Sequence, residues 1–203
     1  CAGTPVVVIV TVNPLPDATA SNQTICSGAT TGIAITTPNL VAGTTYTWIV
    51  QSNPGGVTGA TAGSGATIAQ TLVNPTNLQQ TVVYRITPRS GAGCDGATVD
   101  VNAIVDPTPN VLAAPSAQTI CSGASTNITI TNPNAVAGTT FSWTVVQAGV
   151  TGAAAGSGAS IAQALSTTVA VQGTATYTIT PTAGSCAGTP VVVIVTVNPL
   201  PDA

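Results

Sequence analysis

Few side chains in this 203-residue sequence can do chemistry. Cysteines stand at positions 1, 26, 94, 121 and 186, and aspartates at 17, 95, 100, 106 and 202. Arg85 and Arg89 are the only cations, and His, Lys and Glu are absent. Without histidine or lysine, neither a Ser-His-Asp nor a Cys-His nucleophile can be assembled. Zinc is excluded in the same way, since no histidine and no CxxC spacing are available. Calcium asks for six to eight oxygen ligands, which scattered aspartates do not supply. Asp95 and Asp100 are close in sequence but read as solvated surface carboxylates. What remains is thiol oxidation, so cofactors and catalysis are not expected.

The composition narrows the class further. Charged residues make up 3% of the chain, against about 25% in an ordinary soluble domain. A net charge of −3 offers no basic patch for phosphates, so nucleic acid is not an expected partner. The hydrophobic share of 44% is too high for a disordered chain. No apolar run is long enough to cross a membrane as a helix. PVVVIV, at 5–10 and again at 190–195, is short and β-branched, and reads as a buried strand.

The elements that must position the cysteines come in repeats. QTICSGA at 23–29 returns at 118–124. TTPNLVAGTTYTWIV (36–50) returns as TNPNAVAGTTFSWTV (131–145), and VTGATAGSGATIAQTL (57–72) as VTGAAAGSGASIAQAL (150–165). YRITP (84–88) becomes YTITP (177–181), and VDPTP (105–109) becomes VNPLP (197–201). Residues 1–18 are also identical to residues 186–203. The reading is a tandem array. Residues 1–13 form the last strand of a preceding repeat. Residues 14–106 and 107–198 form two domains, and 199–203 lead into the next.

Within a repeat, short alternating runs are punctuated by PN, AGTT, NPGG and GSG. TGIAITT (31–37), TTYTWIVQ (44–51), GATIAQTLV (65–73), QTVVYRIT (80–87) and ATVDVNAIV (97–105) are the expected strands of an all-β sandwich. Tyr46 and Trp48 share one strand face, as do Phe141 and Trp143. With Tyr84 and Tyr177 they are the expected core aromatics. Each repeat has one early and one late cysteine. The simplest pairing is therefore Cys26–Cys94 and Cys121–Cys186, with Cys1 bound to a cysteine outside this stretch; the alternative is reduced, structural cysteines. Disulfides imply an oxidising, extracellular setting. NQT at Asn22 and NIT at Asn127 fit the N-glycosylation pattern.

QTICSG, TTYTW or TTFSW, VTGAxAGSGxxIAQ, YTITP and VxVNPxP together resemble the PKD-like domains of Bacteroidota surface proteins, including gliding-motility-associated adhesins. The resemblance runs over essentially the whole chain, twice. It implies an Ig-like β-sandwich, export by a type IX secretion route, and a place on the cell surface or in extracellular filaments. Better-known PKD domains follow the strand tryptophan with an acidic turn. Here Trp48 is followed by IVQSNPGG and Trp143 by TVVQAG, so properties tied to that turn do not carry over.

The linkers VDPTPN and VNPLPD alternate proline, which favours a short, extended, semi-rigid connection. Domains joined end to end in this way predict a rod. Sheet edges without Lys or Glu discourage lateral pairing poorly, so copies of the chain are the expected partners, in the covalent array and in lateral bundles. The expected role is a structural repeat segment of a long extracellular filament or adhesin stalk. The alternatives are a carbohydrate-binding adhesion module for surface polysaccharide, and a subunit polymerising by donor-strand addition through residues 1–13.

Overall fold

The computed structural model describes residues 1 and 3–201. Ala2, in the expected 1–13 strand, and Asp202 and Ala203, in the expected 199–203 linker, lie outside the described residues. None of the described residues is helical. The chain divides into two compact units, one of Cys1–Val73 and Gln80–Val105, the other of Asn74–Gln79 and Asp106–Ala203.

In the first unit a five-stranded sheet has the order Gln23–Cys26, Val99–Asp106, Gln80–Arg89, Thr45–Ser52, Gly63–Ser64. A three-stranded sheet, Thr19–Ala20, Ile33–Thr36, Thr67–Ile68, packs on it. Period-two alternation decides what is buried. Gln80–Arg89 sends Val82, Tyr84 and Ile86 inward, each fully buried, while Val99–Asp106 contributes Val101, Ala103 and Val105. Ile33, Ile35, Ile68 and Leu72 close the core from the other side.

The second unit repeats the plan. Its long sheet has the order Ala117–Cys121, Val191–Asn198, Gly173–Ala183, Thr140–Ala148, Gly156–Ser157, and Cys186–Ala187 pairs with Gly173–Ala183. Leu112–Ala114, Ile128–Thr131 and Ser160–Ile161 form the facing sheet. Ala117–Cys121 runs parallel to Val191–Asn198, from Ala117 opposite Ile194 to Cys121 opposite Asn198. Gly173–Ala183 pairs antiparallel with Val191–Asn198, Thr140–Ala148 and Cys186–Ala187, and Ile128–Thr131 pairs antiparallel with both of its neighbours.

Two expectations about strands change. The run 65–73 is not one strand: only Thr67–Ile68 pairs, followed by single bridges at Thr71 and Val73. Gln70 ends it, because its backbone N–H donates to the Thr31 hydroxyl rather than to a neighbouring strand (2.9 Å). Residues 3–18 contain no strand, and Val6 to Val10 are about four-fifths exposed or more. The same sequence at 191–198 is a strand because Gly173–Ala183 and Ala117–Cys121 flank it. A strand is made by its neighbours as much as by its residues.

Candidate functional site

The repeated motifs converge on a neutral polar clasp. In the first unit Trp48, buried on Thr45–Ser52, donates from Nε1 to the Thr61 carbonyl (3.2 Å). The Gln70 side chain donates to that same carbonyl (2.8 Å) and accepts from the Thr61 N–H (3.0 Å). Tyr84 donates its hydroxyl to Gln70 Oε1 (2.7 Å). Thr31, buried, donates to the Ile68 carbonyl (2.8 Å). The second unit places Trp143, Ala154, Gln163, Tyr177 and Thr126 in the same bonds at 2.8–3.1 Å. The buried polar ends of both aromatics are thus satisfied, as burial demands.

The glycines of AGSG have a steric reason in the same place. A Cβ on Gly63 would lie 2.6 Å from the Trp48 ring, and one on Gly156 would lie 2.8 Å from Trp143. Each indole lies flat on bare backbone. Tyr46 is buried beside Trp48, whereas Phe141, its counterpart, is only half-buried at the edge of the second core. Burial pushes the Tyr84 hydroxyl up to about 12 and raises Tyr177 in the same direction. Both phenols therefore stay neutral donors in ordinary solution and cannot serve as bases.

The carboxylates are spread out, and each described one is engaged. Asp100 takes a two-pronged contact from Arg85 across the strand pair (2.8 Å for each nitrogen). That bond lowers the Asp100 carboxyl and raises the Arg85 guanidinium. Asp95 pairs with Arg89 at 2.7 Å, Asp106 accepts from Gln79, and Asp17 accepts from Thr37 and from the Asn39 N–H. Asn110 replaces Asp17 in the second unit and makes reciprocal bonds with Asn134. A neutral amide does the same work, so the Asp17 contact is a turn lock rather than an ion site. Among the described residues, no three His, Cys, Asp or Glu side chains gather as a metal site would require. The Asn22 side-chain carbonyl is used internally, accepting from the Asn102 N–H (2.9 Å).

The expected cysteine pairs are not formed. Cys26 and Cys186 are disulfide-bonded, while Cys1, Cys94 and Cys121 are free thiols. In the second sandwich the reason is visible in the strand register. Cys121 is opposite Asn198 at one end of the long sheet, and Cys186 is opposite Ala183 at the other. Sequence reasoning paired early with late cysteine because each repeat has one of each. It also missed Gln70, Gln163, Thr31 and Thr126, although IAQ is repeated verbatim.

The chain is similar, at low identity, to several solved structures. It is similar to the fibronectin(III)-like modules of Clostridium thermocellum CbhA, at 13% identity, covering 92% of this chain and 98% of that one, with a TM-score of 0.36. It is also similar to protocadherin gamma B2 extracellular cadherin domains 3–6, at 12% identity and a TM-score of 0.37 over 93% of this chain and about half (52%) of the other. The titin I-band fragment I67–I69 matches at 12% identity over 94% and 67%, with a TM-score of 0.36. None of the curated proteins matches the sequence. The model of the PKD-like domain matches twice, over residues 23–109 and 118–201. Those two spans take in both clasps, both core tryptophans and four of the cysteines, and the chain belongs to the PKD-like domain family.

Proposed function

We propose that this chain is a structural repeat segment of a long extracellular filament or adhesin stalk on a bacterial surface. The observation that carries the reading is the second copy of the last strand. Residues 6–13 repeat residues 191–198, which are a strand only in the company of the rest of a domain. The copy at 6–13 therefore reads as the final strand of a further domain. The polar side chains of both units support the same role, since they close on each other instead of converging on a ligand. The disulfide supports an oxidising, extracellular location. Export by a type IX route is part of this proposal and rests on the sequence resemblance.

The test is the mass of the native protein under denaturing, reducing conditions. A mass many times 19.6 kDa is expected. A mass near that value overturns the array, and residues 1–13 then become a donor strand between subunits.

Copies are also proposed to associate laterally. Residues 107–198 contain no Asp, Glu, Lys, Arg or His. On the outer face of the long sheet Val146, Thr176 and Ile194 form one cross-strand row, with Val146 and Ile194 exposed. Sedimentation should show bundles that hardly respond to salt; monomers at every salt concentration would count against it. One observation favours a second reading, a carbohydrate-binding module. Equivalent grooves of about 330 and 310 Å³ lie beside Tyr46 and Phe141, each lined by two threonines, a serine, a glycine and an alanine. A glycan array would support it if binding fell with Phe141→Ala.

A further inference from the structure

The long sheet of the second unit turns one face to its core and the other to solvent. On the solvent face, the strand Gly173–Ala183 presents a threonine at every second position from 174 to 182. Cross-strand rows run outward from this ladder. Val146, Thr176, Ile194 and Ala117 stand in one row. Thr144, Thr178 and Val192 stand in the next. Val146 is 71% exposed, Val192 54% and Ile194 46%. Since residues 107–198 carry no charged side chain, nothing on this face resists desolvation as an ion would.

The first unit supplies the comparison, because its long sheet has the same plan. Trp48 is opposite Ile86 there, as Trp143 is opposite Ile179 in the second unit. One residue further along, Ile49 is opposite Arg85, and Arg85 is opposite Asp100. These are the positions that Thr144, Thr178 and Val192 hold in the second unit. Val83, Arg85 and Arg89 likewise stand where the other ladder has Thr176, Thr178 and Thr182. The Arg85–Asp100 pair is exposed and joined by two bonds of 2.8 Å. A partner covering it would have to strip water from both ions, which costs more than ordinary packing returns.

We propose that the threonine face of the second unit packs against the same face of a second copy of this chain, sheet on sheet, and that Arg85 and Asp100 bar the first unit from doing the same. This names the surface of the lateral association proposed above and rests on it. Three observations select a second copy as the occupant. The face has no charge with which to choose an acidic or basic partner. Its polar groups are chiefly hydroxyls, which both donate and accept, so one threonine can satisfy another across a twofold axis. Its size also fits. The nine residues of Thr140–Ala148 span about 30 Å, and four strands side by side span about 19 Å, or roughly 600 Å² of flat surface. Two copies then cover roughly 1,200 Å², the low end of specific interfaces. Such a face holds a single pair weakly and gains by avidity where it recurs in every second domain of an array.

The experiment is sedimentation equilibrium of the 203-residue chain over a range of concentration. Cys1→Ser, Cys94→Ser and Cys121→Ser are present throughout, so that no free thiol cross-links copies. Reversible dimers with little response to salt are expected. Thr178→Arg together with Val192→Asp grafts the first unit's ion pair onto the face, and should raise the dimer dissociation constant at least about tenfold. The same fold already carries that pair at those positions in the first unit, and circular dichroism checks that the graft folds. Val146→Lys, one row away, should weaken the dimer by itself. Arg85→Thr together with Asp100→Val should open a second face and give species heavier than a dimer; an unchanged mass would clear those two residues of the barring role. The two ways of failing differ. Dimers that ignore both the grafted pair and Val146→Lys remove the face and leave lateral association standing. Monomers at every concentration remove both, and their retention on an insoluble polysaccharide would give the face to a glycan instead.

Discussion

Tyr84 donates its hydroxyl to Gln70 Oε1 at 2.7 Å, from a core strand in one sheet to a residue just past the last pair of the other. Tyr177 and Gln163 make the same bond in the second unit at 2.8 Å. One amide therefore ties the two sheets of each sandwich together, with the tryptophan bound to the same backbone carbonyl.

Gln70→Ala should destabilise the first domain by about 2–3 kcal/mol, because it leaves a buried phenol and a backbone N–H without partners. The urea midpoint should fall with little change in slope. Gln163→Ala should do the same in the second domain. A shift below about 0.5 kcal/mol in either would mean that the clasp is decorative.

Alkali should unfold the first domain from the inside. Tyr84 titrates near its ordinary 10 in the unfolded chain and near about 12 in the fold. The unfolded state then binds fewer protons over that window, so stability is complete below pH 10 and falls as pH rises toward 12. Tyr84→Phe should flatten this dependence, at some cost in stability at neutral pH. At the acid end, Asp100 is lowered by its bond to Arg85, so its contribution is present above the ordinary aspartate range and fades as pH drops through the folded value. The pair is exposed, and that acid limb should be shallow and sensitive to salt. Circular dichroism melts across pH report both limbs.

Gly63→Ala and Gly156→Ala should each cost about 1–3 kcal/mol, since the new methyl would push the indole off its seat. Tryptophan fluorescence should shift along with the loss of stability. An unchanged spectrum and midpoint would show that the ring has room to move.

Leu40 and Ala135 hold equivalent turns at φ of 54° and 53°, in the left-handed region. Leu40→Gly and Ala135→Gly should each raise stability by up to about 1 kcal/mol, because glycine adopts that conformation without a Cβ clash. Thermal midpoints that fall instead would show that the side chain at this turn contributes more by packing than it loses by strain.

Strand faces were legible in the sequence wherever alternation was strong. Tyr46 and Trp48, or Val82, Tyr84 and Ile86, announce one buried face by period two. Gln70 was not legible, because a polar residue in an apolar run looks like an outward position until its partners across the sandwich are known. The cysteines failed for a topological reason. The early cysteine ends its strand, while the late cysteine comes before its own, and each sequence run alone looks the same whichever way the strands pair. Once Ala117–Cys121 and Val191–Asn198 lie parallel, the two thiols are forced to opposite ends. A short early strand such as QTIC gives no hint of that direction.

That parallel ladder also decides how a domain carries load. Tension on the chain pulls the segment before Leu112 one way and the segment after Asn198 the other. Ala117–Cys121 and Val191–Asn198 are then drawn past each other along their length, with five register pairs between them. In this geometry the hydrogen bonds are loaded in shear and must give way together, whereas a hairpin pulled at its open end peels one pair at a time. A PKD-like domain strung in series would resist stretching stiffly up to a threshold and then yield abruptly.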